Sequence, residues 1–235
     1  MPARLAPYVE CLWTLEPDRV LPEHTVLPDG CTDIVYSRGR PAPEPQVVGV
    51  MTRAHKFALV PGQFDCGVRF RPGMSRGFLR VTGNEIADQS VPLSEIWGTA
   101  GRDLATQLAD ATSAEECVGL IAERLPDPSA LGVVQQVCTF IVEQCGQVRM
   151  DDLARDAALS ARQLRRLFLE QVGLSPKHFS RVIRFRHSLS QLQTSQRGDW
   201  TRVALDSGYY DQAHFINEFR ELSGYTPGEF VALPR

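Results

Sequence analysis

Two stretches decide the architecture of this chain: Leu153–Pro176, LARDAALSARQLRRLFLEQVGLSP, and Val203–Pro227, VALDSGYYDQAHFINEFRELSGYTP. Leu153-Ala154-Arg155-Asp156-Ala157-Ala158 aligns with Val203-Ala204-Leu205-Asp206-Ser207-Gly208 at an offset of 50 residues. The register then slips by one. Ser160, Leu164, Phe168, Gly173, Ser175 and Pro176 align with Asp211, Phe215, Phe219, Gly224, Thr226 and Pro227. These positions cap, pack or end a helix, so a helix-turn-helix-like unit written twice explains them better than chance does.

Each copy yields a helix with two distinct faces. Ser160 is a good N-cap with Gln163 placed to complete a capping box, and Asp211 is the equivalent cap. Leu164, Leu167 and Phe168 share one face, as do Phe215, Phe219 and Leu222, and both faces are predicted core. Near the helix starts this leaves Ala161, Arg162, Arg165 and Arg166 exposed in the first copy, and Gln212, Ala213, Ile216 and Asn217 in the second. That spacing lays side chains along a DNA major groove, where Arg fits guanine, Gln or Asn fits adenine, and an aliphatic group touches the thymine methyl. Asp151-Asp152 is read as the cap of the helix that opens the first copy.

Between the copies, Ser175-Pro176 opens a long helix with Phe179, Val182, Ile183, Leu189 and Leu192 inward. Lys177, Arg181 and Arg184, with Arg186 beside them, fall among the remainder, and the first three are expected to contact phosphates. A rigid helix here would fix the two readers so that they enter successive major-groove segments about 34 Å apart.

Charge supports a polyanionic partner for this half. The net charge of −3 conceals 12 Lys+Arg against 18 Asp+Glu over residues 1–148, and 13 against 10 over 149–235. Residues 160–186 alone hold seven basic side chains and one acid, Glu170. An acidic front and a locally basic back suggest two tasks.

Hydrophobic content of 43% and charged content of 23% are those of a globular protein. No apolar run is long enough to span a membrane and the start lacks a signal-peptide core, so a cytoplasmic protein is expected. The six cysteines (11, 31, 66, 117, 138, 145) form no C-x-x-C pair and no zinc spacing, and read as reduced, mostly buried groups.

Moving toward the N-terminus, short strands are predicted at Val9–Leu15, Thr25–Val26, Asp33–Tyr36, Gln46–Val50, Lys56–Val60 and Asp65–Phe70, broken by Pro/Gly turns that include 39–45. They suggest a small antiparallel barrel or sandwich. Ser75–Val81 reads as a short helix, and Val91–Trp97 as a segment packing back on the sheet. From Arg102 the pattern turns helical in two stretches, with Ser113 and Glu116 placed as a capping box. This pair would either dimerise or cover the sheet. The expected class is therefore α+β, with a β-rich domain at 1–125 and a linker at 126–130. An all-α domain of about seven helices with two helix-turn-helix motifs follows at 131–235.

The residues Ser160-x-Arg162-x-Leu164-x-Arg166-x-Phe168, Val172-Gly173-x-Ser175-Pro176, Gly208-Tyr209-x-Asp211-Gln212-x-His214-Phe215-x-x-x-Phe219 and Gly224-Tyr225-Thr226-Pro227 closely resemble the AraC/XylS family of bacterial transcription regulators. The resemblance covers about residues 130–232. It implies a seven-helix DNA-binding domain, double-stranded DNA as partner, and base contacts at Arg162, Arg165 and Arg166 and at Gln212, Ala213, Ile216 and Asn217. A basic residue is frequent in the family where Asn217 stands. Leu27–Asp33 and Gly67–Gly73 resemble the N-terminal β domain of a subset of such regulators, which implies a sensor or dimerisation domain. A small-molecule effector, RNA polymerase and a homodimer partner are expectations of the same kind.

Within the front half, Arg69 and Arg71 alternate with Phe70 and are candidates for an anionic ligand. A solvated face or a salt bridge to the acidic front is the competing reading. His24 and His55 lie outside any metal-ligand spacing, and no P-loop or clustered His and carboxylate set is present, so no catalytic residue, metal or cofactor is expected. The competing function is a β-barrel enzyme or an alkyl-transfer protein fused to a DNA-binding tail.

Overall fold

Alternating apolar residues build the first half into strands. β1 (Val9–Leu15), β2 (Leu21–Val26), β3 (Asp33–Arg38), β4 (Gln46–Val48), β5 (His55–Leu59) and β6 (Phe64–Phe70) overlap the six predicted segments. α1 (Arg76–Leu79) and α2 (Gly83–Ile86) follow, then β7 (Ser90–Pro92) and α3 (Leu93–Trp97), which pack back on the sheet. The computed structural model describes residues 1–39, 43–128, 131–194 and 199–233. Residues 40–42 of the expected turn, and 129–130 of the expected linker, lie outside the described residues.

The sheet is antiparallel in the order β1-β6-β3-β4-β7, while β2 and β5 form a separate two-stranded ribbon. Of the expected antiparallel barrel or sandwich, the barrel alternative falls away: the strands lie in an open sheet and a separate ribbon that do not close on each other. β7 is three residues long; opposite Gln46 its Pro92 lacks an N–H, but the Leu93 amide still donates to the Pro45 carbonyl at 2.8 Å, so the missing donor falls on the open edge of the sheet. At the centre, β6 lies between β1 and β3. Gly67 lets Trp13 and the Ile34 carbonyl approach to where a Cβ would stand, at 2.8 and 2.5 Å.

α4 (Thr99–Asp110) and α5 (Ala114–Arg124) complete this half. Ser113 caps α5 by accepting from the Glu116 amide at 3.2 Å, but the Glu116 carboxylate reaches back to the Thr112 amide at 2.7 Å, so the predicted box closes one residue early. Leu104, Leu108, Cys117 and Ile121 are fully buried, and α5 lies on β1 and β6. The apolar face of this helical pair covers the sheet, and it is not left free for a dimer.

Seven helices follow among the described residues: α6 (Val133–Glu143), α7 (Met150–Asp156), α8 (Ala161–Gln171), α9 (Pro176–Thr194), α10 (Trp200–Asp206), α11 (Gln212–Ser223) and α12 (Pro227–Ala232). Asp151 and Asp152 lie inside the first turn of α7, whose N-cap is Arg149 with no side-chain bond, so the two acids face the helix dipole and do not cap it. Phe168, Phe179, Phe185, Phe215, Phe219 and Leu222 form one buried cluster that joins both copies to α9. Val50 belongs to that cluster and Leu27 packs on it, so the front half contributes to the core of the back half. No helix of the described residues is long and apolar enough to cross a membrane.

Candidate nucleic-acid interface

The first reader is α8. Ser160 Oγ accepts from the Gln163 amide at 3.2 Å and Gln163 Oε1 accepts from the Ser160 amide at 3.0 Å, which is the predicted capping box. Leu164 and Phe168 turn inward, and this leaves Ala161, Arg162, Arg165 and Arg166 exposed. Among the described residues Arg162 and Arg165 have no hydrogen-bond or ion-pair partner. Arg166 leans on Glu170 at 3.5 Å while its side chain stays 68% exposed. Three guanidinium groups thus line one outward face near a helix N-terminus.

The second reader, α11, is capped by Asp211, whose Oδ1 accepts from the His214 amide at 2.7 Å. Its four predicted positions do not behave alike. Ala213 and Asn217 are exposed, Gln212 is half-buried with its Oε1 accepting from Thr201 Oγ at 2.8 Å, and Ile216 is half-buried against the shared core.

The turns before the two readers locate the slip in register. Leu159 donates to the Ala154 carbonyl at 2.9 Å, and Tyr209 donates to the Ala204 carbonyl at 2.9 Å. The preceding residues, Ala158 and Gly208, have φ of 52° and 76°. Leu159 and Tyr209 are therefore equivalent, as are Ser160 and Asp211, and Tyr210 is the inserted residue. Its side chain stands in solvent at 88% exposure beside the second reader.

The basic residues of α9 divide sharply. Lys177 is exposed and has no partner among the described residues. Arg181 Nε donates to Glu218 at 2.8 Å and its Nη2 donates to Glu221 at 2.6 Å. Burial acts to lower the Arg181 pKa, but its hydrogen bonds to Glu221 and Glu218 raise it above the ordinary guanidinium value. Arg184 Nη2 donates to Glu218 at 3.1 Å, and the guanidinium lies 4.8 Å from the Tyr209 ring centroid. Arg186 pairs with Glu10 of β1. Burial, the largest single effect, raises the Glu10 pKa, but the hydrogen bonds from Arg186 and Cys31 and the charges of Arg186 and Arg69 together outweigh it and hold that carboxyl below its usual range.

The front half meets both copies at their equivalent turns. At the first, Gly83 abuts Val172-Gly173 so closely that a Cβ on Gly83 would lie 2.3 Å from the Gly173 amide nitrogen. Arg76 approaches Glu170 there at 4.0 Å. At the second, the Ala54 amide donates to the Leu222 carbonyl at 2.8 Å and the Tyr225 hydroxyl donates to Glu23 at 3.0 Å. Lys56 lies 4.8 Å from the Tyr225 ring centroid. These contacts gather at the C-terminal ends of the readers, away from their outward N-terminal faces.

The two arginines proposed for an anionic ligand also part. Arg69 is held by Asp33 at 3.0 Å and by Asp29 at 2.9 Å, the salt bridge of the competing reading. Arg71 is exposed, donates from Nε to the Ala6 carbonyl at 3.2 Å, and lines an open cavity of about 600 Å³ between the halves. That cavity is also lined by Glu10, Met74, Ile183, Arg186 and His187.

The buried thiols are poor nucleophiles here. Burial pushes Cys66 up to about 12 and raises Cys31, Cys117 and Cys138 as well. Among the described residues no group of three or more His, Cys, Asp or Glu is placed to hold a metal ion.

Comparison with known proteins gives a family match in each half of the chain. Residues 2–92 match the family described as Domain of unknown function (DUF6597), and residues 153–232 match the family described as Helix-turn-helix domain. The HTH-type transcriptional regulator GlxA of Rhizobium meliloti (strain 1021) is 32% identical over 161 residues, covering 65% of this chain and 48% of that protein. The HTH-type transcriptional regulator ArgR of Pseudomonas aeruginosa is 26% identical over 138 residues, covering 54% and 42%. The chain thus spans less than half the length of either relative. Among solved structures, ToxT from Vibrio cholerae O395 bound to (E)-4-(8-methylnaphthalen-1-yl)but-3-enoic acid aligns over 94% of this chain and 98% of its own, at 12% identity and a TM-score of 0.50. That likeness is one of fold.

Proposed function

We propose that this chain, which carries an AraC-type helix-turn-helix domain in its C-terminal half, is a sequence-specific DNA-binding transcription regulator. In this reading α8 and α11 enter successive major-groove segments. Arg162, Arg165, Arg166 and the exposed Ala213 and Asn217 reach base edges, Gln212 and Ile216 contribute from the rim of α11, and Lys177 neutralises phosphate. The observation that carries the reading is the pair of capped, duplicated helices whose N-terminal halves face outward while their C-terminal ends are held by the core and the front half. As a helix of 19 residues, α9 is about 28 Å long, close to the rise of one DNA turn.

Arg181 and Arg184 have a smaller part in phosphate contact than their charge suggests, because Glu218 and Glu221 already hold them. The front half, residues 1–125 joined through 126–130 to 131–235, modulates binding through the junction it shares with both turns. The cavity beside Arg71 is where a small-molecule effector would meet both halves. DNA as partner implies a cytoplasmic protein, with RNA polymerase and a second copy as further partners at a promoter. The enzyme alternative draws no support from the raised thiols.

Selection of preferred duplexes from a random pool, followed by titration at fixed salt, tests the reading. Arg162→Ala is expected to weaken the selected site by about 1–3 kcal/mol and to relax base preference. Binding that is equally tight to every duplex in the pool would remove it.

A further inference from the structure

Within the second copy, one carboxylate occupies a place that the first copy fills with an apolar side chain. Glu218 aligns with Leu167, and its side chain is only 5% exposed. It accepts from Arg181 Nε at 2.8 Å and from Arg184 Nη2 at 3.1 Å, so two residues one turn apart on α9 converge on a single residue of α11. A buried carboxylate between two guanidinium groups defines an orientation, because its hydrogen bonds have direction where apolar contacts do not.

The same group also reaches the turn that precedes the reader. His214 Nε2 lies 3.7 Å from Glu218 Oε2, while its Nδ1 accepts from the Tyr210 amide at 3.4 Å. Arg184 in turn lies over the Tyr209 ring, which meets the His214 ring edge-on at 5.3 Å. Glu218 therefore ties together the connecting helix, the inserted-tyrosine turn and α11. In the first copy the corresponding cohesion comes from the Ser160–Gln163 box and apolar packing.

We infer that Glu218 is a positioning residue for the second reader: through Arg181, Arg184 and His214 it sets the pose of α11 against α9, and so decides whether the second DNA segment is read in phase with the first. This rests on the two-segment reading proposed above. A carboxylate with no outward surface contributes nothing to DNA directly, so its effect would be confined to the segment that α11 reads.

The test uses the full chain in three forms: unchanged, Glu218→Gln, and the double replacement Arg184→Met with Glu218→Leu. The double form substitutes apolar groups for a buried ion pair, an exchange that often leaves stability intact, and Arg181 retains Glu221. Spin labels on unnatural residues at positions 162 and 217 avoid the native thiols and report the separation of the readers without DNA. A single narrow distance is expected in the unchanged chain and a broadened or shifted distribution in both variants. Selection from a random duplex pool with the unlabelled forms should then show base discrimination in the second segment falling about tenfold, with the first segment held within about twofold. If the distances and second-segment discrimination are unchanged in both variants, Glu218 is only a packing element and the inference fails. If the unchanged chain selects no two-segment site while the distances still shift in the variants, the DNA reading fails and the positioning stands. If the double form does not fold, Glu218→Gln alone decides between these outcomes.

Discussion

The two readers share a backbone plan and dispose their charge in opposite ways. The first carries three arginines outward, two of them without partners among the described residues. The second presents Ala213 and Asn217 outward, and the α9 arginines that reach it, Arg181 and Arg184, are held by Glu218 and Glu221. The two copies share their caps, one core phenylalanine (Phe168 and Phe219) and the closing glycine, while their outward chemistry differs. A frame set by burial tolerates such divergence because the exposed positions carry little of the stability. In the function proposed above, the first reader would supply affinity as well as base readout through its arginines, and the second would add discrimination without charge.

The largest expected effect concerns what the readers have in common. Phe168→Ala and Phe219→Ala each remove a fully buried ring from one cluster and should cost about 3–5 kcal/mol. Because both rings belong to that cluster, each variant should still unfold in a single calorimetric transition. Two resolved transitions would show that the readers are separate folding units.

Next in size is the division of labour. Arg165→Ala should weaken specific binding by about 1–3 kcal/mol and reduce the salt slope by about one, as loss of a charged contact does. Asn217→Ala should alter base preference with the salt slope unchanged, for a loss of about 1 kcal/mol. Titrations across a salt series that give equal slopes for the two variants would erase the distinction.

The caps give a smaller and more even effect. Ser160→Ala and Asp211→Ala should each cost about 1 kcal/mol in denaturant melts, since each loses an amide acceptor at its helix start. A much larger loss for Asp211 would mean that the second reader depends on its cap more than the first does.

Mild acid has the least effect. Burial first, and Arg181 second, lower the pKa of His178 from 6.5. The unfolded chain then takes up the proton before the folded one does. Stability is complete above about pH 6.5 and is lost as pH falls from there through the lowered folded value. His178→Gln should flatten that slope. A slope that persists would assign it to other groups.

Much of this was legible in sequence, for reasons that particular residues make plain. Leu164, Phe168, Phe215 and Phe219 announce their helices because a 3.6-residue period is local, and Ser160 with Gln163 announces where a helix starts. The β segments were recognisable from their turns. Their order was not, because nothing near β6 indicates that it lies between β1 and β3. The same limit applied to charge. Arg181, Arg184 and Arg186 read as free cations because their partners Glu218, Glu221 and Glu10 are 34 to 176 residues away. Tyr210 escaped notice because its exposure depends on a one-residue insertion that only the paired amides of Leu159 and Tyr209 locate.

The meeting of Gly83 with Gly173 has a consequence for inheritance. A methyl on Gly83 would collide with the backbone at Val172 and Gly173, and one on Gly173 would lie 2.6 Å from the Gly83 carbonyl, in a residue whose φ of +90° already disfavours a side chain. The freedom of Gly83 is conditional on the junction. Lineages that keep this junction should hold both glycines, and lineages that abandon it should release Gly83 while the φ of +90° still holds Gly173, as φ holds Gly224 where nothing crowds it. A recombinant joining this front half to the back half of a relative without the second glycine would inherit a collision.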